Sequence, residues 1–329
     1  MCPLSFLGGR RMKRIWKSRD ADMSVLAGRT VAIIGYGIQG RAQALNLRDS
    51  GVNVVVGGRK KGRGIPAARK DGFKAGSIPD AVKESHVTFL LTPDDTHGRL
   101  VAKEIAPSMT PGSALGFACG FSLTFGDLRL PKTVDVIMVA PKGPGRTLRE
   151  RFVAGGGLPA LIGVRQDVTG RALGIAMAYA AAIGSGRVGI VESTPREEAE
   201  TDLFGEQAVL CGGIPELMTA GFKTLVERGY SPEAAYIECI WEAKAIIDLI
   251  FERGISQMYA NVSPTARYGG LTRGPRVIDA SARRRMQKVL AQIRSGEFAR
   301  ELVVARNVKA KLPADLEATY RRLSRAFRA

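Results

Sequence analysis

The sequence predicts an α/β protein, with an N-terminal Rossmann-type doubly wound domain followed by an all-helical one. Three observations predict it. A strand, a glycine loop, a helix and a second strand follow one another in "TVAIIGYGIQGRAQALNLRDSGVNVVVGG" (30–58). Three more apolar strand-like runs lie at 86–92, 113–118 and 134–141. Beyond about residue 195 the strand patterns fade and helical spacing takes over.

The first strand, "TVAIIG", is branched and nearly continuously apolar, as a strand covered on both faces should be. Gly35, Gly37 and Gly40 then form G-x-G-x-x-G within "GYGIQG", and Tyr36, Ile38 and Gln39 complete the turn. The first glycine permits the tight turn and the second lets backbone approach a pyrophosphate. The third lets helix and strand pack closely, and the helix N-terminus faces the phosphate charge. A glycine turn with no ligand would look the same alone; the strand and helix around it favour a dinucleotide.

The end of the second strand points to the cofactor. An NAD enzyme places Asp or Glu there for the ribose 2′-hydroxyl, whereas this chain has Arg59, Lys60, Lys61 and Arg63 in "GGRKKGRG" and no acid. Four cations suit the 2′-phosphate of NADPH. At the next strand ends stand Thr92-Pro93-Asp94, expected at the cofactor, and Cys119-Gly120. "PKGPG" follows at 141–145, where Lys142 is enclosed by prolines and glycines. Strand C-termini are where doubly wound sheets carry their sites, so Lys142 and Cys119 are candidate catalytic residues.

In the second half, Asp202 and Glu206 are four apart in "ETDLFGEQ", and Glu238 and Glu242 are four apart in "ECIWEAK". Ser231 and Pro232 start the second of these helices and Gly254 is expected to end it. Positions 238, 242, 245 and 249 read Glu, Glu, Ala, Leu, so these acids continue an apolar stripe. Carboxylates so placed should be protonated, paired with Lys and Arg side chains, or bound to metal. Oxygen donors with no nearby histidine suit Mg²⁺, or Mn²⁺, over zinc.

Composition sets the limits. The formal net charge is +18, with 16 Lys and Arg against 4 acids in residues 1–75 and 13 against 4 in 281–329. A nucleic-acid partner is nevertheless not expected, since no stacking ladder or zinc site accompanies the charge. The four cysteines show no metal-finger spacing, which fits a reducing, cytoplasmic setting. No membrane span is expected: "ALGIAMAYAAAIG" (172–184) is shorter than the roughly 20 residues a span needs. Residues 1–19 place an apolar stretch before a basic cluster, the reverse of a secretory signal, and read as a basic tail, with Met12 and Met23 as alternative starts. The expected organisation is tail 1–19, NADP-binding domain 20–194, helical metal and substrate domain 195–305, and basic tail 306–329.

Taken together, "GYGIQGRAQALNLRDSG", "DVIMVAPKGPG", "ETDLFGEQAVLCGG", "ECIWEAK" and "RGPRVI" resemble ketol-acid reductoisomerase (acetohydroxy acid isomeroreductase) in its short bacterial form, from about Asp20 to about Gly296. The resemblance implies helices interlocked with a partner subunit, so a homodimer or higher assembly. It implies NADPH, two Mg²⁺ ions and a small acetohydroxy acid or 2-keto acid substrate, in which an alkyl group migrates before hydride reduction. Asp202 would bridge both metals and Glu206 would complete one. Glu238 and Glu242 would serve the other from the partner, with Glu242 also counted among the catalytic groups. Ser263 in "NVSPTARYG" would contact substrate, and Lys142 would assist polarisation and proton movement. Glu197, Glu198 and Glu200 are expected to be solvated neighbours.

The chain departs from the family pattern at Cys119, where the family has histidine, which places the isomerase step in question more than hydride transfer. Ile38, Arg41 and Gln43 replace Ser, His and His, and Gly62 and Gly64 stand where the family often has serines. Pro264 and Arg267 change the surroundings of Ser263. Two alternatives remain open at this point: a reductase-only paralogue acting on another 2-keto acid, and a non-catalytic relative that binds dinucleotide or nucleic acid.

Overall fold

The computed structural model describes residues 12–305 and 314–327. The chain divides into two compact units, one ending at Ala199 and the other beginning at Glu200.

The first unit is built on one sheet of nine strands: β1 (Ile15–Trp16), β2 (Thr30–Ile34), β3 (Asn53–Gly57), β4 (Lys74–Gly76), β5 (Val87–Leu90), β6 (Ala114–Phe117), β7 (Asp135–Pro141), β8 (Ala160–Gln166) and β9 (Ile190–Glu192). Their order is β1-β9-β8-β7-β6-β5-β2-β3-β4. From β2 the chain winds one way to β3 and β4 and then returns to β5, β6 and β7 on the other side, all parallel. The switch point between β2 and β5 is where such a sheet opens a crevice for a ligand. The strands adjoining it are buried throughout, at Val31–Ile34 and Val87–Leu90, which explains why they read as unbroken apolar runs.

Helices cover both faces. On one, α1 (Ile38–Asp49) and α2 (Gly64–Lys70) contribute Ala44, Leu45, Leu47, Ile65 and Ala68 to a core shared with Val31, Ile33 and Phe89. On the other, α3 (Ile78–Lys83) and the end of α4 (His97–Leu100) pack Ile78, Val82 and Leu100 on Ala32, Ile34 and Leu90. Two further helices, α5 (Phe121–Phe125) and α6 (Gly145–Val153), follow β6 and β7. The apolar run after Arg171 is α7 (Ala172–Ala182), whose Tyr179 stacks on Phe89 with ring centroids 3.6 Å apart.

Four strands were not anticipated. β4 and β9 have three residues each and β1 two, too few to show alternation. β8, "ALIGVRQ", pairs antiparallel with β7, so the sheet is mixed. The basic N-terminal stretch is not a free tail over its described part. Ile15 and Trp16 pair with Val191 and Ile190. Residues 1–11 lie outside the described residues.

The second unit is helical. The helix α8 (Pro195–Phe204), whose residues through Ala199 belong to the first unit, runs into a π-helical stretch, Gly205–Leu210. There follow α9 (Gly213–Glu227), α10 (Pro232–Tyr236), a second π-helical stretch, Ile237–Trp241, and α11 (Ala243–Ala260). Four more complete it: α12 (Pro264–Val277), α13 (Ala280–Arg294), α14 (Glu297–Val304) and α15 (Ala314–Ala326). Ser231 caps α10, its hydroxyl accepting from the Ala234 amide at 3.2 Å, and Pro232 follows. Gly254, expected as the helix end, does interrupt the helix: its backbone is non-helical (φ 79°, ψ 167°), and α11 is two helical segments that meet there at a kink. The described part of the basic C-terminal segment, 314–327, packs within its own unit: Leu316 and Leu323 are buried with Phe222, Ala235 and Tyr236; residues 306–313 and 328–329 lie outside the described residues.

One helical run, Pro195–Glu227, is long and apolar enough by length and composition to cross a membrane. Its first half carries Glu197, Glu198, Glu200, Asp202 and Glu206, five acids that a bilayer core would reject.

Candidate functional site

The glycine loop stands at the switch point. Gly35 has φ 100°, and a Cβ there would lie 2.8 Å from the Leu91 carbonyl oxygen of the neighbouring strand end. A Cβ on Gly40 would fall 1.9 Å from the Gly35 carbonyl, so α1 can reach the loop only without a side chain at that position. Gly37 has nothing within 4 Å of its missing Cβ, which leaves space for a pyrophosphate at the α1 N-terminus. Ile38, the first residue of α1, is exposed, and the Gln39 side-chain Nε2 donates to the Gly143 carbonyl at 3.0 Å. Gln43 is buried and links the Tyr179 hydroxyl (2.7 Å) to the Gln39 side chain (3.2 Å). A neutral amide thus fills a position where the family carries imidazole.

Arg59, Lys60, Lys61 and Arg63 are all exposed at the C-terminal end of β3, and none makes an ion pair with a described carboxylate. Other arginines near the loop are engaged: Arg41 grips Asp71 at 2.6 and 3.0 Å, and Arg48 donates to the Asp71 carbonyl at 2.7 Å. Unengaged cations beside a glycine loop fit a 2′-phosphate.

At the ends of β5 and β6 the chain forms one polar network. The His97 ring donates from Nε2 to the Thr92 carbonyl (2.9 Å), and its Nδ1 lies 2.8 Å from the Ser122 hydroxyl. The Ser122 hydroxyl is also 3.0 Å from Asp94 Oδ1, and the Cys119 thiol donates to the same oxygen at 3.6 Å. Burial holds the His97 pKa below its ordinary value, against the pull of Asp94, the Thr92 carbonyl and Asp95. Pro93 precedes the turn that carries Asp94.

The end of β7 holds the strongest feature. Lys142 Nζ forms an ion pair with Glu198 Oε1, while Glu198 Oε2 accepts from the Gly120 amide at 2.5 Å. Glu198 is completely buried and Lys142 partly so. A Cβ on Gly120 would lie 2.0 Å from the Pro195 carbonyl, so only glycine lets the β6 end meet the helix carrying this carboxylate. Glu198 is therefore no solvated neighbour, correcting the reading of the acidic run. The missed signal was spacing: Glu198 stands four before Asp202 as Asp202 stands four before Glu206. Glu197 pairs with Lys13, and Glu200 lies 3.7 Å from Arg294.

In the second unit, Asp202 lies near the end of α8 and Glu206 in the π-helical stretch after it. Glu238 lies in the other π-helical stretch and Glu242 directly follows it. Both Glu238 and Glu242 are exposed, so within one chain they do not lie in an apolar stripe as the spacing suggested. Among the described residues no group of three or more His, Cys, Asp and Glu is close enough to hold a metal ion. The Ser263 hydroxyl caps α12, accepting from the Ala266 amide at 3.1 Å.

A doubly wound sheet, a glycine loop with room for pyrophosphate and a cationic loop where an NAD enzyme carries an acid define an NADP-dependent oxidoreductase. Residues 25–189 match the family model "Acetohydroxy acid isomeroreductase, NADPH-binding domain" and residues 196–324 match "Ketol-acid reductoisomerase, C-terminal domain". The ketol-acid reductoisomerase (NADP(+)) of Pyrobaculum arsenaticum is 51% identical over 296 residues, 90% of each chain. That of Pyrobaculum calidifontis is 50% identical over 292 residues, 89% of each. Among solved structures, an NADH-preferring ketol-acid reductoisomerase from an uncultured archaeal source superposes with TM-score 0.89 at 38% identity, covering 96% of this chain and 98% of its own. The chain belongs to the ketol-acid reductoisomerase family, enzymes that are both isomerase and oxidoreductase.

Proposed function

We propose that this chain converts a 2-hydroxy-2-alkyl-3-oxo acid to the corresponding 2,3-dihydroxy acid, by alkyl migration followed by reduction. The observation that carries the reading is the Lys142–Glu198 pair at the end of β7, beside Cys119 and the dinucleotide crevice. NADPH, when bound, supplies the hydride. Two divalent cations, Mg²⁺ or Mn²⁺, supply Lewis-acid polarisation of adjacent hydroxyl and carbonyl oxygens when bound.

The chain's own residues divide the remaining work. Gly35, Tyr36, Gly37, Ile38, Gln39 and Gly40 cradle the pyrophosphate, and Arg59, Lys60, Lys61 and Arg63 take the 2′-phosphate. Thr92, Pro93 and Asp94 border the cofactor at the end of β5. Lys142, held by a buried carboxylate, presents an ammonium that can donate a proton to an oxygen gaining charge. Cys119 takes the place of imidazole as a weak donor.

Asp202, Glu206, Glu238 and Glu242 are the metal donors, and an all-carboxylate set suits hard cations. Ser263 is the substrate contact. Because no group of three or more such ligands lies together among the described residues, and the family resemblance implies a shared site, we infer a homodimer or higher assembly in which Glu238 and Glu242 come from the second copy. Exposed Phe251, Ile255, Leu271 and Trp241 are the apolar surface that such a copy would cover. A cytoplasmic location and a small-molecule substrate, with no nucleic acid, complete the reading.

The test is NADPH oxidation by purified protein with Mg²⁺ on 2-acetolactate and on 3-hydroxy-3-methyl-2-oxobutanoate. The second compound enters after the migration. Turnover of both supports the full reaction. Turnover of the second alone leaves a reductase that has lost migration, and turnover of neither refutes the proposed substrate class.

A further inference from the structure

Asp71 is the best-connected carboxylate near the glycine loop. The Tyr36 hydroxyl donates to its Oδ2 at 2.8 Å, and Arg41 donates from Nε to Oδ2 (2.6 Å) and from a terminal nitrogen to Oδ1 (3.0 Å). Arg48 holds its backbone carbonyl, and the Arg48 guanidinium lies 5.1 Å from the Phe73 ring centre. The Phe73 ring in turn meets Tyr36 edge-on at 5.9 Å. Bidentate charge-assisted contacts of this kind hold the Asp71 carboxyl down at about 2.

Position gives this cluster its meaning. Tyr36 belongs to the glycine loop, and Arg41 and Arg48 belong to α1. Asp71 follows α2, the helix that begins at Gly64 directly after the four loop cations. At its other end α2 starts against Tyr36, since a Cβ on Gly64 would lie 3.3 Å from the Tyr36 Cβ. The clamp therefore fixes the segment emerging from the cationic loop against the segment that holds the pyrophosphate. It also engages both oxygens of a nearby carboxylate, with two donors on Oδ2 and one on Oδ1.

We propose that the Asp71–Arg41–Tyr36 clamp sets the preference of this chain for NADPH over NADH, with Asp71 a positioning residue acting through α2 on Arg59, Lys60, Lys61 and Arg63. The proposal rests on the reading of those cations as the 2′-phosphate site. Matched proteins carrying both "NADP(+)" and "NADH-preferring" in their names show that this preference varies among relatives.

Two physical accounts predict opposite signs. If Asp71 acted only as a charge, Asp71→Asn would remove a repulsion and tighten NADPH. If it acts as a clamp, the same change loosens the cationic loop and weakens NADPH, while NADH, which lacks the phosphate, changes little. The experiment is fluorescence titration of the cofactor-free protein with NADPH and NADH, with melting curves as a control for folding. Expected for Asp71→Asn is a rise of about tenfold in the Kd for NADPH and a change below about twofold for NADH, on the scale of one lost charge-assisted contact set.

Arg41→Ala keeps the test open should Asp71→Asn fold poorly, and should give the same narrowing of preference. The double variant should be no worse than either single one, because both remove one device. Tighter or unchanged NADPH binding in folded Asp71→Asn overturns the clamp. Additive or cancelling effects in the double variant do the same. Equal affinity of the unmodified protein for the two cofactors overturns the 2′-phosphate reading itself, and the clamp with it.

Discussion

Glu198 is sealed from solvent while binding both the Lys142 ammonium and the Gly120 amide, so three elements, α8, the β7 end and the β6 end, meet at one carboxylate. A buried charge with a charged partner and a backbone donor is stable only while both remain.

The pair should be asymmetric to mutation. Lys142→Met removes the cation that faces a fully buried carboxylate, and should cost about 3–5 kcal/mol. Glu198→Gln removes the buried charge itself, and the Lys142 side chain is already 29% exposed to water, so it should cost less. The double variant should recover most of the loss. Urea denaturation of the three proteins measures this, and equal costs for the two single variants would refute the asymmetry. Both single variants should lose turnover on either substrate.

Restoring imidazole at Cys119 should act on one half of the reaction. Cys119→His is expected to raise turnover of 2-acetolactate relative to 3-hydroxy-3-methyl-2-oxobutanoate, because a thiol is the weaker donor. An unchanged ratio would show that position 119 does not limit migration.

Asp202→Asn should abolish Mg²⁺-dependent turnover and leave NADPH binding intact, since the carboxylate and the glycine loop lie in different units. Placing a charge at Phe251, which is 84% exposed in one chain, should shift sedimentation toward the monomer and remove turnover with it. A monomer that kept full activity would disprove the shared metal site.

Acid should loosen the cofactor clamp in a defined window. The Asp71 pKa is depressed from 3.8 to about 2, so its contribution to stability is fully present above about pH 4 and fades as pH falls toward 2. The stability difference between the unmodified protein and Asp71→Asn should shrink over that window. A difference that stays constant from pH 5 to about 2 would contradict the pairing.

Much of the first unit was legible because its central strands are buried on both faces and its glycines have one physical reason each. β2, β3, β5, β6 and β7 all fall within the runs that predicted them. β1, β4, β8 and β9 were not legible, since the three short ones have two or three residues and carry no period, and β8 contains a glycine and an arginine. In the site, the dinucleotide loop and the strand-end residues could be read from type and place. For Glu198 the spacing to Asp202 marked the helix face, but its sequence neighbours are acids and nothing local reveals the lysine 56 positions earlier that receives it. The clamp at Asp71 joins residues 30 and 35 positions apart, and no local pattern encodes it.

The two π-helical stretches bear on how this sequence can change. Each widens a turn where a pair of carboxylates sits, so the direction of those side chains depends on the residue count through the turn as well as on their identity. Deleting one residue from Gly205–Leu210 or Ile237–Trp241 would let the turn relax to ordinary α geometry with the later helix still in register, and would shift the carboxylate within the turn relative to its partner outside it. These segments can therefore drift by substitution but not in length, and a library that varies their length should yield folded, inactive proteins.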